Sequence, residues 1–351
     1  MITFDSTTLK LFLEQNSDFL QGARIQKIQQ PTRREFILFL RNKGEARKLY
    51  ININPQYYHI CFMNSENELK RHIEIPKQPP MFCMLLRKYL ENARISKVNQ
   101  PQYERILEFY IETYNELSEK IYLCLSTELM GKHSNVILYN YDTNLIIGCA
   151  HNVGSEKSRE REMAGGLPYV YPPKKTDKWY ENTNSIAALS GDINDNIDNY
   201  YANVIAEDKF KKLQDKYLQS VNKKLKRVHN SLNQMARQSV SEEKADKYRR
   251  YGDLIMSNLY NNSDFIKSIT VEDWETHSNI TIELDETKTL KDNANRFYKL
   301  YNKAKTSNIK LIEQKQVYLE EKNYLEQLLY SIESAKNLDD LYEISFEIEP
   351  D

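Results

Sequence analysis

Residues 79–90, with the sequence PPMFCMLLRKYL, decide how the chain around them can fold. The two prolines supply a helix start, because proline tolerates the first helical position, where the amide hydrogen would have no partner. The ten residues that follow carry apolar side chains around most of the helix circumference. Such a helix needs apolar neighbours on several sides, so the pattern predicts a helix buried between strands.

The chain on both sides of this helix is typical of strands. Across residues 25–145, apolar and polar residues alternate with a period of two in runs such as 36–40 and 122–125. Ahead of these runs, Asp5 and Ser6 can cap a first helix. The pattern predicts a strand-rich N-terminal domain.

A segment rich in glycine and proline, GGLPYVYPP, predicts where this domain ends. An Asn- and Asp-rich stretch follows it and has the composition of a linker. We therefore divide the chain into a body at 1–172, a polar linker at 173–204, an arm at 205–340 and a tail at 341–351.

The arm carries two apolar series that predict two long helices, one with steps of three or four and one with steps of seven. The first comprises Leu213, Tyr217, Val221, Leu225, Val228, Leu232 and Met235, and the second comprises Leu311, Tyr318, Leu325 and Ile332. A short helix and two strand-like runs between them predict a small α/β tip at about 249–290. Since the chain reverses there, the fold class is α+β, with the body followed by a long antiparallel coiled coil.

Composition limits the function classes. Lysine and arginine number 49 against 50 aspartates and glutamates, a net charge of -1, so any RNA contact must be local. The first residues lack the pattern of a secretory signal, and no stretch has the apolar length that a bilayer requires. These observations predict a cytoplasmic protein without a membrane partner.

The sequence offers little for catalysis. The four cysteines are widely spaced within apolar surroundings, which favours buried thiols over a zinc or redox site. There is no glycine-rich phosphate loop and no nucleophile elbow. We expect no catalytic residues, no metal and no cofactor, and therefore no enzyme.

Local basic groups are the candidates for binding, and abundant tyrosines near them suit base stacking. In the body they are Arg33, Arg34, Arg87, Lys88, Arg105 and Lys132, and in the arm Lys223, Lys224, Lys226 and Arg227. The alternative is that they are solvated charges balanced by neighbouring acids. His133 lies in the polar turn GKHSN, where it is either functional or a turn histidine that bonds the backbone.

Five segments together resemble the NFACT family, which includes bacterial ribosome quality control factors and was once named fibronectin-binding protein A. They are QKIQQPTRRE at 26–35, the run at 79–90, ELMGKHSN at 128–135, YGDL at 251–254 and NANRFYKLYNK at 293–303. They follow the family's order along nearly the whole chain.

The resemblance implies a fold. The family's N-terminal domain is similar to that of formamidopyrimidine-DNA glycosylases, which attack from an N-terminal proline followed by glutamate. Ile2 and Thr3 occupy those places here, so glycosylase activity and a DNA partner are not expected. From the resemblance we expect no counterpart in this sequence of the family's helix-hairpin-helix unit or of its C-terminal NFACT-R domain.

The resemblance also implies a function. Family members bind stalled large ribosomal subunits with peptidyl-tRNA and recruit aminoacyl-tRNA, in bacteria mainly alanyl-tRNA, for templateless tailing of the nascent chain. The ribosome forms the peptide bond, so the factor positions tRNA without being an enzyme itself.

Matching the family motifs residue by residue assigns a site. The implied tRNA-binding residues are Arg33, Arg34, Arg87, Glu104, Arg105, Lys132, His133 and Asn135, and the implied ribosome-binding residues of the arm are Lys223, Lys224, Lys226 and Arg227. Glu104-Arg105 stands where the family has Asp-Arg, one methylene longer with the charge kept. Two alternatives remain, a fibronectin- or fibrinogen-binding surface protein and a truncated module that binds ribosomes without tailing.

Overall fold

The structure is a computed structural model, which describes residues 2–115, 117–156, 161–174, 178–179 and 183–348. The chain divides into two compact units, Met1–Lys209 and Phe210–Asp351.

The first unit is built on one antiparallel sheet, which confirms the predicted strand-rich domain. Its strands are β1 (Arg24–Thr32), β2 (Glu35–Asn42), β3 (Glu45–Asn52), β4 (His59–Met63), β5 (Arg94–Asn99), β6 (Ile106–Tyr114), β7 (Lys120–Glu128), β8 (Asn135–Asn140) and β9 (Ile146–Cys149). Their order is β4-β3-β2-β1-β5-β6-β7-β8-β9. Strand β1 therefore joins two meanders, and its pairing with β5 is confined to Arg24 opposite Arg94.

Three helices of the first unit precede β6. They are α1 (Ser6–Leu20), α2 (Ser65–Lys70) and α3 (Met81–Leu90). As predicted, Asp5 caps α1, because its Oδ1 accepts a hydrogen bond of 2.8 Å from the amide of Thr8. Leu9 and Phe12 of α1 then enter the main core of the unit.

The prediction that the helix at 79–90 is buried between strands is wrong in its extent. Helix α3 buries Cys83, Leu86 and Leu90 on one side, but Met81 is 91% exposed and Met84 is 53% exposed. The helix contacts β1, β6 and β9, and its first turn lines an open cleft. Apolar composition alone could not reveal that Met81 and Met84 are exposed among the described residues.

The sheet is covered on both faces at its β6 to β9 end. Leu123 and Leu125 of β7 enter the main core, whereas Cys124 between them enters a second apolar cluster with Tyr139 and Tyr169. Cys124 and Cys149 are buried in this second cluster and Cys61 and Cys83 in the main core, so all four cysteines are buried and free, as the sequence predicts.

Strand β6 begins at Ile106, directly after Arg105. Within it Glu108 is fully buried, although alternation places it on the polar side. Its carboxylate accepts hydrogen bonds from Asn99, Tyr110 and Tyr171, which replace solvent.

Helix α4 (Ile193–Gln238) begins inside the predicted linker and belongs to the first unit up to Lys209. Ile197, Tyr201 and Ile205 are buried in the main core, so this part of the chain is not a free linker. Parts of that linker, residues 175–177 and 180–182, lie outside the described residues.

The second unit continues α4 and adds α5 (Glu242–Ser257), the hairpin of β10 (Ser268–Asp273) and β11 (Ser278–Glu283), α6 (Leu290–Ser334) and α7 (Leu338–Ile348). Gln214 donates to the carbonyl of Ile332 at 2.9 Å, and Asn308 donates to that of Val240 at 2.7 Å. These contacts place α4 and α6 in antiparallel order, while coiled-coil geometry stays a prediction.

Helix α7 occupies most of the predicted tail. Its Leu341 and Ile348 are buried against α4 and α6 together with Val221 and Ile332. Residues 349–351 of that tail lie outside the described residues. Across the part of the chain that the structure describes, no helix is long and apolar enough to cross a membrane.

Candidate nucleic-acid interface

The first unit contains a cleft of about 1290 Å³. Its wall draws on the N-terminal residues, the β1–β2 turn, the start of α3, the residues before β6, the β7–β8 connection and the chain after β9. It brings together seven sequence-predicted residues, namely Arg33, Arg34, Glu104, Arg105, Lys132, His133 and Asn135.

The cleft concentrates positive charge. Its wall includes the cationic residues Arg33, Arg34, Arg105 and Lys132 and the carboxylates Asp5 and Glu104, while the charge of Arg161 is balanced by the buried Glu128. The chain as a whole carries a net charge of -1. A nearly neutral protein thus presents a locally basic concavity, the electrostatic pattern that attracts a polyanion.

Arg33 and Arg34 form the turn between β1 and β2. The turn is fastened by Thr32, whose hydroxyl donates to Glu35 at 2.8 Å and accepts from the amide of Arg34 at 3.2 Å. Both arginines are exposed, and their guanidinium groups form no ion pair with other described residues. They are therefore available to an anionic ligand.

Arg105 is positioned by an aromatic residue of the other meander. Its guanidinium lies 5.2 Å from the ring centroid of Tyr58 and donates a hydrogen bond to the Tyr58 hydroxyl. The preceding residue is fixed through its backbone, since the Glu104 carbonyl accepts from Gln100 at 2.7 Å. Tyr58 thus positions the guanidinium group of Arg105 through its ring and its hydroxyl.

The GKHSN turn presents Lys132 and His133 to solvent. Gly131 has a φ of +63°, a conformation that glycine adopts without strain. The Ser134 hydroxyl accepts from the amide of Met130 at 2.8 Å and closes the turn. Both long side chains are exposed at the cleft wall.

Glu128, the first residue of the ELMGKHSN motif, stabilises the cleft wall. It is fully buried, and its carboxylate accepts hydrogen bonds from the guanidinium of Arg161 and, at 2.9 Å, from the hydroxyl of Tyr169. Burial, followed by the charge of Glu128, raises the pKa of Tyr169 well above its ordinary value, so the hydroxyl keeps its proton.

Sequence reasoning missed several cleft residues, among them Tyr58, Gln30, Arg161 and His151. Tyr58 belongs to a segment predicted only as strand or turn, Gln30 lies within the family segment 26–35 without having been singled out, and His151 follows β9 in no recognisable pattern. The available signal for His151 was its place in a polar run directly after a strand end.

The other predicted binding residues lie elsewhere. Arg87 on α3 is half-buried, and its Nε donates to the carbonyl of Ile28 at 2.9 Å, which ties the helix to β1. In the second unit, Lys223, Lys226 and Arg227 are exposed on α4, whereas Lys224 donates to the carbonyl of Ile348 at 3.4 Å.

No three histidine, cysteine, aspartate or glutamate side chains lie close enough to hold a metal ion among residues 2–115, 117–156, 161–174, 178–179 and 183–348. The chemistry that the described cleft offers is charge, hydrogen bonding and aromatic contact. The fold and the cleft define a class of protein, an α+β domain with a basic concavity that is followed by a mainly helical unit.

The chain belongs to the NFACT family, described as NFACT N-terminal and middle domains, whose pattern it matches over residues 5–190 and 180–350. Relatives named Rqc2 homolog RqcH are 24% identical in Streptococcus pneumoniae, over 87% of this chain and 67% of that protein, and 24% identical in Bacillus subtilis, over 96% of this chain and 73% of that protein. The chain spans about two thirds of their length.

An archaeal Rqc2 homolog from Methanocaldococcus jannaschii is 34% identical over 44% of this chain and 21% of that protein. Among solved structures, the N-terminal domain of the fibronectin-binding protein PavA from Streptococcus pneumoniae is 30% identical, covering 51% of this chain and 66% of that one at a TM-score of 0.47. The corresponding N-terminal part of a fibronectin/fibrinogen-binding protein from Streptococcus suis is 34% identical, covering 49% and 62% at a TM-score of 0.46.

Proposed function

We propose that this protein is a ribosome-associated quality control factor whose cleft binds tRNA. The observation that carries the proposal is the convergence of Arg33, Arg34, Arg105 and Lys132 on one concave wall of a nearly neutral chain. Membership of the NFACT family and relatives named RqcH support it.

The arrangement of groups suits RNA. The exposed guanidinium groups of the β1–β2 turn can contact phosphates, which fix orientation without reading sequence. Tyr58 and Phe82 add aromatic surface to the same wall, and aromatic rings stack on exposed bases of single-stranded loops. Charge and stacking surface within one cleft support a folded RNA with an accessible loop as the ligand.

In this proposal the factor binds a stalled large ribosomal subunit that holds peptidyl-tRNA and recruits alanyl-tRNA for templateless C-terminal tailing. The cleft, with Glu104 and Arg105, holds the incoming tRNA, and the exposed cations Lys223, Lys226 and Arg227 contact the ribosome. The ribosome catalyses bond formation, and the protein acts in the cytoplasm as a positioning factor without enzymatic activity.

The proposal is tested by titrating labelled tRNA with wild type and with an Arg33→Ala/Arg34→Ala variant at about 50 to 200 mM salt, since each lost phosphate contact lowers the salt slope by about 0.7 to 0.9. The expected result is weaker binding and a slope smaller by about 1.5. A matched Arg41→Ala/Arg94→Ala variant removes two exposed arginines outside the cleft wall and should bind as wild type does.

Equal loss in both double variants would show nonspecific attraction and contradict a tRNA site in the cleft. Tailing is tested separately with stalled large subunits and charged alanyl-tRNA. Alanine tails on the nascent chain are expected from wild type and not from the cleft variant. If the wild-type protein binds ribosomes but produces no alanine tails, it is a truncated module that only binds the ribosome. That result would overturn the proposed recruitment of tRNA.

A further inference from the structure

Three arginines lie side by side across three neighbouring strands of the sheet. In the register of these strands, Arg24 of β1 stands directly opposite Arg41 of β2 and directly opposite Arg94 of β5. Side chains that stand directly opposite each other point to the same face of a sheet, and neighbouring strands lie about 4.8 Å apart. The arginine row, which comprises Arg24, Arg41 and Arg94, therefore occupies one face of the sheet over a span of about 10 Å.

The arginine row places like charges next to each other. The residues that flank Arg24 and Arg94 exchange backbone hydrogen bonds of 2.9 Å, so the two arginines form a non-hydrogen-bonded pair, in which side chains come closest. All three arginines are exposed, and none of them forms an ion pair with a residue that the structure describes. Like charges directly opposite each other destabilise a sheet, and an anion bound over them removes that cost.

The same row of facing residues continues into aromatic side chains. Arg94 stands opposite Glu112 of β6, Glu112 stands opposite Tyr122 of β7, and the amide of Tyr141 donates to the Tyr122 carbonyl at 2.9 Å. Tyr122 is 39% exposed and Tyr141 is 53% exposed. The charge of Glu112 is balanced by Lys120, whose Nζ lies 2.7 Å from the carboxylate. This face of the sheet thus passes from three exposed arginines to two exposed rings.

The aromatic end of the face is held in place from below. The ring of Tyr110 meets that of Tyr141 edge to face, with the centroids 5.1 Å apart, and the Tyr110 hydroxyl donates to the buried Glu108 at 3.0 Å. Lys97 of β5 stands opposite Tyr110 and lies 5.7 Å from its ring centroid. Exposed rings beside cations on a sheet suit a single nucleic-acid strand, whose bases stack while its phosphates contact the cations.

We propose that this face of the sheet is a second RNA-binding surface, which binds a single strand. The phosphates of the strand contact the arginine row, and its unpaired bases stack on Tyr122 and Tyr141. None of these five residues belongs to the cleft wall, so the surface goes beyond the proposed function, which places tRNA in the cleft. An acidic peptide would pair with the arginines and leave the two rings unused, so the rings favour RNA as the occupant.

The test titrates a labelled oligouridine of about 12 nucleotides at about 50 to 200 mM salt. Arg24→Gln/Arg94→Gln should lower the salt slope by about 1.4, because each phosphate contact of a single strand contributes about 0.7. Tyr141→Ala should weaken binding about five- to hundredfold, and Tyr141→Phe, which keeps the ring, should bind as wild type does. The matched control is Arg33→Ala/Arg34→Ala, which alters the cleft and should bind the oligonucleotide with wild-type affinity.

The outcomes separate this surface from the proposed function. Arg24→Gln/Arg94→Gln should keep wild-type affinity for tRNA, so a cleft that fails to bind tRNA and a sheet face that fails to bind oligouridine are different results. Wild type that does not bind oligouridine, or equal losses in the glutamine and cleft variants, would overturn the second surface. Equal affinity for a polyglutamate of the same length would assign the face to an acidic protein and would overturn it too.

Stability gives a second readout of the same variant. Arg24→Gln/Arg94→Gln should unfold at a urea midpoint at least as high as that of wild type, because it relieves the contact between like charges. Weaker binding by a variant of unchanged or higher midpoint then reports the loss of phosphate contacts. A lower midpoint would contradict the repulsion on which the inference rests.

Discussion

Arg71 and Asp198 form a buried ion pair, in which Nη1 of the arginine donates to Oδ1 of the aspartate at 2.6 Å. Asn67 donates to the other carboxylate oxygen of Asp198 at 2.8 Å, and Arg71 Nη2 donates to its backbone carbonyl at 3.2 Å. Asp198 belongs to the first turns of α4, whereas Arg71 follows α2. The pair therefore joins the start of α4 to the sheet domain within the first unit.

Arg71→Ala should lower the free energy of unfolding of the first unit by about 3 to 5 kcal/mol, because it leaves the buried Asp198 carboxylate without its counter-charge. Urea unfolding followed by tryptophan fluorescence and circular dichroism measures the loss. The control is Lys70→Ala, at the residue before Arg71. It removes an exposed ion pair with Glu66 and should hardly change the urea midpoint. Equal midpoints for the two variants would contradict the role of the buried pair.

Gly252→Ala should destabilise the second unit, although alanine normally favours a helix over glycine by about 1 kcal/mol. A Cβ at this position would lie 2.8 Å from Cε1 of Tyr298, whose hydroxyl donates to Asp253 at 2.6 Å. We expect a loss of about 1 to 3 kcal/mol, typical of overpacking. Thermal unfolding of Gly252→Ala, Tyr298→Ala and the double variant measures the coupling, and strictly additive effects would refute the contact.

The stability of the first unit should fall as the pH drops below about 6.5, the ordinary histidine pKa. His59 is fully buried, and burial, followed by the charge of Arg71, places its pKa well below that value. As the pH falls, His59 is protonated in the unfolded chain but stays neutral in the folded protein. The free energy of unfolding therefore decreases, by up to about 1.4 kcal/mol per pH unit.

His59→Phe should flatten this dependence, since the new ring can keep the stack on Tyr201, where the ring centroids are 4.1 Å apart. Urea midpoints at several pH values between neutral and mildly acidic give the slope. His277→Asn, which changes an exposed histidine, should retain the wild-type slope. An unchanged slope in His59→Phe would exclude His59 as its source.

Arg105→Ala should weaken tRNA binding about tenfold, the loss expected when a charged group that contacts the ligand is removed. Tyr58→Phe keeps the ring beneath the guanidinium and removes only the hydroxyl that Arg105 donates to, so it should cost about threefold. Fluorescence anisotropy with labelled tRNA measures both. A larger loss from Tyr58→Phe than from Arg105→Ala would mean that Tyr58, not Arg105, contacts the RNA.

The sequence by itself determined the local structure. The cap at Asp5, the helix start at Pro80 and the tip hairpin all appear where residue pattern predicts them, whereas β6 and β7 are strands that are buried on both faces. These features depend on interactions between residues a few positions apart, so they can be predicted without a tertiary structure. The motifs likewise identified Arg33, Arg34 and Lys132 as candidates.

Only the tertiary structure decided which of these residues meet. The convergence of Arg33 and Lys132 on one wall, the hold of Asn135 on His151 and the pairing of Arg71 with Asp198 follow from sheet register and from how α4 packs. Such contacts join residues from 16 to 127 positions apart. Burial and the need to satisfy polar groups determine which residues pair. Neither produces a periodic pattern in the sequence.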